Sequence, residues 1–243
     1  MMNCENCNTE ISQNYCPNCG HPTKLKRIDG KYILSEIGSV LNFDKGILFT
    51  IRELLLRPGK SIRIFISDDR NRLVKPIAFI IITSLIYTIF QQLLHFQDGY
   101  INFSTIGEEK SAVSSIFKWI SNNYGYTNIL MAFLIAFWIK IFFKKYNYNF
   151  FELLILLFFL MGIGMLAFAF FGIISNIINI DILDNGGAII VFLYIFWGIG
   201  QFFDKRKITN YLKGLLSYVL GMISFTLIAL IIGFLIDLMN KHT

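Results

Sequence analysis

The sequence predicts an all-α membrane protein, about five transmembrane helices behind a small cysteine-bearing module, and three observations carry that class. Hydrophobic residues make up 55% of the 243, with 25 Phe among them, while charged residues fall to 16% against about 25% in an ordinary soluble chain. A core of this size cannot absorb so much apolar surface, so lipid must be the solvent for much of it. Five apolar runs follow one another from Pro76 onward. All four cysteines lie in one short polar stretch at the N-terminus, which points to a metal site rather than a disulfide framework.

The first element covers residues 1–23 and carries Cys4-x2-Cys7-x8-Cys16-x2-Cys19, with Pro17 and Gly20 in its second half. Each C-x-x-C can form a tight knuckle that offers two thiolates to one ion. Two knuckles supply the four sulfurs of a closed, tetrahedral structural zinc site. Gly20, just past the last cysteine, lets the backbone turn without a steric cost, and the eight-residue spacer suffices for a minimal hairpin. So small a zinc ribbon has almost no core, and Zn2+ would supply most of its folding energy. Cys4, Cys7, Cys16 and Cys19 are the expected ligands. Iron in the same cage, or a redox pair, are the alternatives, and His21 reads as a bystander because four thiolates complete the shell. Residues 1–23 contain no Lys or Arg, so this ribbon offers phosphate no cationic surface and nucleic acid is disfavoured as its partner. No basic n-region leads into an apolar h-region, so the N-terminus is expected to stay in a reducing compartment on the side of synthesis.

Residues 24–75 read as basic amphipathic helices lying at the membrane interface. Leu34, Ile37 and Leu41 recur at helical spacing; after Asp44, an expected N-cap, come Ile47, Leu48, Ile51, Leu54 and Leu55, with Arg52 and Glu53 on the other side. The helix should stop at Arg57, because Pro58-Gly59 breaks it. Ser61 would then cap a shorter piece carrying Ile62, Phe65 and Ile66. Lys45, Arg52, Arg57, Lys60, Arg63, Arg70, Arg72 and Lys75 suit anionic headgroups near residues 45–75. The alternative is a helical subdomain packed on the inner loops with its charges merely solvated.

Residues 76–243 hold the five spans, expected at about 76–95, 126–143, 150–174, 187–203 and 211–238. A crossing helix needs ~20 mainly apolar residues, so the second and fourth are short and could be re-entrant hairpins. The third and fifth must tilt or emerge. Of the 22 Lys and Arg residues, all but Lys110, Lys118 and Lys241 fall on one side if residues 1–75, the Lys140–Phe150 turn and the Asp204–Lys213 turn face the cytosol. That asymmetry predicts a cytosolic N-terminus and an external C-terminus. Trp119, Tyr124, Tyr126, Tyr146 and Tyr148 sit at segment ends, where amphipathic rings favour the headgroup level.

The stretch LNFDKGILFTIRELLLRPGKSIRIFISDDRNRLVKPIAFIIITSLIY, behind CENC and YCPNCG, resembles an uncharacterised family of bacterial zinc-ribbon membrane proteins, a domain of unknown function. The ribbon cysteines, the run Gly46–Ile66 and the basic approach to Pro76 carry the resemblance, which covers roughly residues 4–90. Ser67-Asp68-Asp69 departs from it, where a glycine-bearing basic stretch is more usual. The resemblance implies the architecture and a bacterial inner (cytoplasmic) membrane; it implies no activity.

No nucleophile elbow, HExxH, Walker loop or dinucleotide fingerprint occurs. Lys140, Glu152 and Asp237 lie within about a turn of a span end, which disfavours a proton-coupled path. Gly214, Ser217, Gly221 and Ser224 trace one face of the fifth span, and Gly162, Ala169 and Gly172 do the same in the third; such faces let helices approach closely. The expected function is a non-enzymatic scaffold, sensor or recruitment protein with a cytosolic protein partner on the ribbon, and homo-oligomers stay open. The alternatives are an oligomeric channel, transporter or membrane-perturbing effector, and a membrane enzyme acting on lipid-linked substrates through Glu152, Asp204, His95, Asp68 or Asp69.

Overall fold

The computed structural model describes residues 2–4, 7, 9–11, 16–19, 46–94, 111–178 and 182–241. The chain divides into two compact units, Met1–Asn42 and Phe43–Thr243. The expected helix around Leu34, Ile37 and Leu41, the cap at Asp44 and the residues His21, His95 and Gly20 lie outside the described residues.

In the first unit β1 (Met2–Asn3) pairs antiparallel with β2 (Glu10–Ile11), Met2 opposite Ile11 and Asn3 opposite Glu10. Cys4 N–H donates to Thr9 O at 2.9 Å, which extends the ladder by one bond. β2 therefore lies inside the spacer between the two cysteine pairs and pairs with residues that precede Cys4.

The second unit is helical among its described residues. α1 (Ile47–Leu56) begins at Gly46, whose extended backbone takes the cap position without a side-chain bond, and ends at Arg57. α2 (Pro58–Ser67) starts on the next residue. Pro58 does stop α1, but it also opens α2 at the first position, where a missing N–H costs nothing. Ser61 is thus inside α2 rather than its cap. α3 (Pro76–Leu94) follows a short loop.

α4 (Ala112–Asn122) lies between the first two expected spans. Ser111 caps it, its hydroxyl accepting from Ser114 N–H at 3.1 Å. α5 (Tyr124–Phe142), α6 (Phe150–Ile178), α7 (Ile182–Asp204) and α8 (Ile208–Lys241) complete the unit. Five of these helices, α3 and α5 to α8, are long and apolar enough to cross a membrane. α5 and α7 are single unbroken helices of 19 and 23 residues, so neither of the short apolar runs is a re-entrant hairpin. α8, at 34 residues, is about 51 Å long at the α-helical rise, well beyond a hydrocarbon layer of about 30 Å.

α6 is the centre. Its most apolar window is 78% buried, against 17% for α8 and 22% for α3, and it touches α1, α2, α3, α5 and α7. Because lipid tails are as apolar as Leu, helices in a bilayer associate through close packing rather than through the hydrophobic effect. The small residues supply that closeness. A Cβ on Gly162 would stand 2.7 Å from the Phe79 ring of α3, and one on Gly221 only 2.4 Å from Ile135 of α5. Ser224, on the same face of α8, accepts from Trp138 Nε1 at 3.0 Å. These faces pack within the bundle. Aromatic pairs add to the packing: Phe143 stacks on Phe203 at 3.8 Å near the ends of their helices, and Phe65 of α2 meets the buried Phe159 of α6 edge-on at 5.3 Å.

Candidate functional site

The hairpin and the two knuckles bring the predicted cysteines together. The Sγ atoms of Cys4, Cys7, Cys16 and Cys19 all lie within 4.8 Å of one another. Cys4 and Cys19 approach to 3.5 Å, and Cys7 stands 3.4 Å from both Cys16 and Cys19. A disulfide would need about 2.05 Å, so all four are free thiols. A tetrahedral ion with metal–sulfur bonds of about 2.3 Å, as zinc makes, sets sulfurs about 3.8 Å apart. The observed set brackets that spacing, so these four residues fit a metal ion. Cys4 and Cys16 are buried and Cys19 is exposed.

Thr9 supports the cage. Its hydroxyl lies 3.3 Å from Cys7 Sγ and accepts from Asn18 Nδ2 at 3.4 Å, linking the first knuckle to the second. Hydrogen bonding by the Thr9 hydroxyl and then its backbone, with Cys19 close by, pulls the Cys7 thiol down to about 6. A thiol near that value is largely thiolate at neutral pH, which is the form that ligates. Among the described residues these cysteines form the one group of three or more ligating side chains close enough to share an ion.

Sequence reasoning missed a second polar centre, in the other unit. Glu53 belongs to the buried face of α1 with Ile47, Thr50 and Leu54, not to the solvated face shared with Arg52. Its carboxylate accepts from Ser61 Oγ at 2.9 Å and from Arg72 Nη2 at 3.2 Å, and pairs with Arg57 at 3.5 Å. Burial alone would push this carboxyl up; the Ser61 bond, Arg72 and Arg57 together outweigh it and hold Glu53 below the usual carboxylate range. Thr50 Oγ1 meanwhile accepts from Val74 N–H at 3.0 Å and donates to Gly46 O at 3.1 Å. One turn of α1 thus ties α2 and the approach to α3 into a single knot. The signal in sequence was the interval Thr50–Glu53–Leu54, which shares a helical face with Ile47.

Arg63 fastens this knot to α7. Its Nη1 donates to Gln201 O at 2.6 Å and Phe202 O at 2.5 Å, carbonyls that the end of a helix leaves without intrahelical partners. Gly59 makes the approach feasible, since a Cβ there would sit 2.4 Å from the Gln201 carbonyl carbon.

The carboxylates considered for catalysis are engaged locally. Glu152 and Asn149 form a reciprocal cap at the start of α6, at 2.7 and 2.8 Å. Asp204 takes Arg206 N–H at 3.0 Å and Lys207 at 3.1 Å. Asp69 takes Asn71 N–H at 2.9 Å, and Asp68 is exposed. Within the spans Thr83, Ser217, Ser224 and Thr226 each donate to a carbonyl of their own helix, which engages these hydroxyls locally.

A family model described as "Protein of unknown function (DUF3667)" matches residues 44–88. The matched stretch contains α1, α2, the Glu53 knot and most of α3. No curated protein and no solved structure matches the chain.

Proposed function

We propose that the chain is a non-enzymatic protein of a bacterial inner membrane, a five-span bundle whose N-terminal module is a structural zinc ribbon that recruits a cytosolic protein. The observation that carries it is the set of four free sulfurs within 4.8 Å of one another in a chain with five helices fit to span. Four thiolates leave no open coordination position for substrate or water, and a closed site is structural rather than catalytic. The ribbon has no Lys or Arg of its own, so protein suits its surface better than phosphate does. The Lys and Arg asymmetry supports a cytosolic N-terminus and an external C-terminus.

Comparing detergent pull-downs of the native chain and of Cys4→Ser/Cys7→Ser tests the recruitment. The variant should lose its zinc and its specific partner together. An unchanged partner set after loss of zinc would sink recruitment through the ribbon. Reporter fusions at the two ends should place them on opposite faces of the membrane; a shared face would sink the orientation.

A further inference from the structure

α1 has two apolar faces, and among the described residues only one is covered by protein. Ile47, Leu54 and the Glu53 knot face α2 and α6. Leu48, Leu55 and Leu56 are 37%, 51% and 60% exposed, and with exposed Arg52 they recur at intervals of four, three and one, which places them on one side of a helix. Three exposed leucines on ten residues would be a liability in water.

The depth of the helix argues for lipid. The carbonyl of Leu54, at the C-terminal end of α1, accepts from the hydroxyl of Tyr194 at 3.1 Å. Tyr194 lies ten residues before the last residue of α7, Asp204, about 15 Å along the helix axis. The tyrosine side chain spans part of that distance, so the end of α1 lies beside the last turns of α7, inboard of Asp204. At that depth an unpaired carbonyl would be costly, and Tyr194 supplies the bond that water would supply elsewhere. Glu53 is likewise neutralised by Arg57 and Arg72. Arg52 and Lys60 are exposed and, among the described residues, enter no ion pair. Long basic side chains at such a level can reach up to headgroups while their stems stay in the apolar layer.

We infer that α1 and α2 form a half-immersed helix pair, with Leu48, Leu55 and Leu56 among the acyl chains of the host bilayer and Arg52 and Lys60 holding anionic phospholipid headgroups. This rests on the multi-span reading of the bundle. The family-matched segment then acts as a lipid-reading collar on the bundle rather than as a solvated domain.

The test uses the full chain with its four cysteines changed to Ser, in proteoliposomes of phosphatidylcholine with phosphatidylglycerol. Single cysteines replace Leu55, Leu85 on α3 and Lys144 in the α5–α6 turn, each carrying a nitroxide label. The label at Leu55→Cys should be relaxed by oxygen more than by an aqueous nickel chelate, as at Leu85→Cys and opposite to Lys144→Cys. If Leu55→Cys behaves like Lys144→Cys while Leu85→Cys stays in lipid, the immersion is overturned and the span reading stands. If the Leu55 label is shielded from both reagents, protein or a second copy covers that face, and the inference also falls. An aqueous Leu85 label would overturn the span reading itself.

In the otherwise native chain, Arg52→Gln/Lys60→Gln should weaken binding of phosphatidylglycerol relative to phosphatidylcholine roughly 30-fold, from about 1 kcal/mol per basic residue at an anionic surface. Lys144→Gln/Lys145→Gln serves as the comparison. An equal loss in both pairs, or none in the first, removes the headgroup contact.

Discussion

The two units of this chain are ordered by different physics. In the N-terminal module the buried apolar cluster consists of Cys4 and Cys16 with Cys7 against them, so the groups that would form a core belong to the same four-cysteine cluster that could hold a metal ion. In the bundle, α6 is enclosed by five other helices, and order comes from side chains and glycines meeting at van der Waals distance. One region should depend on a single ion, and the other should tolerate the loss of any one contact. Metal and packing can therefore be removed separately, and each removal should leave the other unit standing.

The largest effect is expected at the ion. Structural zinc supplies about 10–16 kcal/mol to modules of this kind at neutral pH, more than such a small hairpin could otherwise gather. Cys16→Ser, or a strong chelator, should expose residues 2–19 to protease and reduce bound zinc to background, measured by elemental analysis. The helical circular dichroism and melting temperature of the bundle should not move. A bundle that melts earlier on chelation would end the comparison.

Next in size is the contact of α2 with α7. Gly59→Val puts carbon where the Gln201 backbone stands, 2.4 Å from a Cβ, so α2 must withdraw and Arg63 must release two carbonyls. Overpacking of this sort costs about 3 kcal/mol at the upper end of its usual range. The expected outcome is a lowered melting temperature in detergent with metal content unchanged.

Glu53 sharpens the comparison through pH. Removing one partner of a fully buried ion pair costs about 3–5 kcal/mol. Here Arg57 and Arg72 are 54% and 37% exposed, so the pairs are partly screened at the headgroup level and about 2 kcal/mol is the expected loss for Glu53→Gln. Because the folded carboxyl is held below its ordinary value, its contribution is fully present above about pH 4.3, the unfolded value. It fades as pH falls from there through the folded value. Melting temperatures of the native chain and Glu53→Gln should therefore converge only in acid. Convergence near neutral pH would show that the arginines do not hold this carboxylate.

How much of this was legible in the sequence depends on whether a pattern is local. The five long apolar helices were, because hydropathy over ~20 residues is a local sum. The gathering of the four cysteines was, because Cys4-x2-Cys7 and Cys16-x2-Cys19 set two pairs of thiols in one short stretch. Glu53 was not. Placing it requires knowing that α1 turns Ile47 and Leu54 inward, and the run Leu54-Leu55-Leu56 offers the interior more than one choice of face. Ser61 looked like a cap because Pro58 was read only as a stop, whereas Pro58 also starts α2 and makes Ser61 an interior partner for Glu53. α4 escaped notice because its 11 residues are too short to span and sit between polar stretches. What orders it lies more than a hundred residues away, on α8.

That distant contact gives the smallest expected effect and the finest comparison. The N-terminus of α4 has two acceptors: Ser111 Oγ takes Ser114 N–H at 3.1 Å, and Asp237 Oδ1 of α8 takes Ala112 N–H at 2.6 Å. The first is a local cap worth about 1 kcal/mol. In the second, a carboxylate also faces the positive end of a helix dipole, worth about 0.5 kcal/mol at a partly exposed site. Ser111→Ala should raise the exchange of the first-turn amides of α4 about fivefold, from about 1 kcal/mol of local cap. Asp237→Asn keeps an acceptor and loses only the charge, so its effect should be roughly twofold, from about 0.5 kcal/mol. If Asp237→Asn instead loosened the whole of α4 and the end of α8, the carboxylate would be the tie that docks one helix on the other. A contact between distant segments would then hold this edge of the bundle, as the metal is proposed to hold the ribbon.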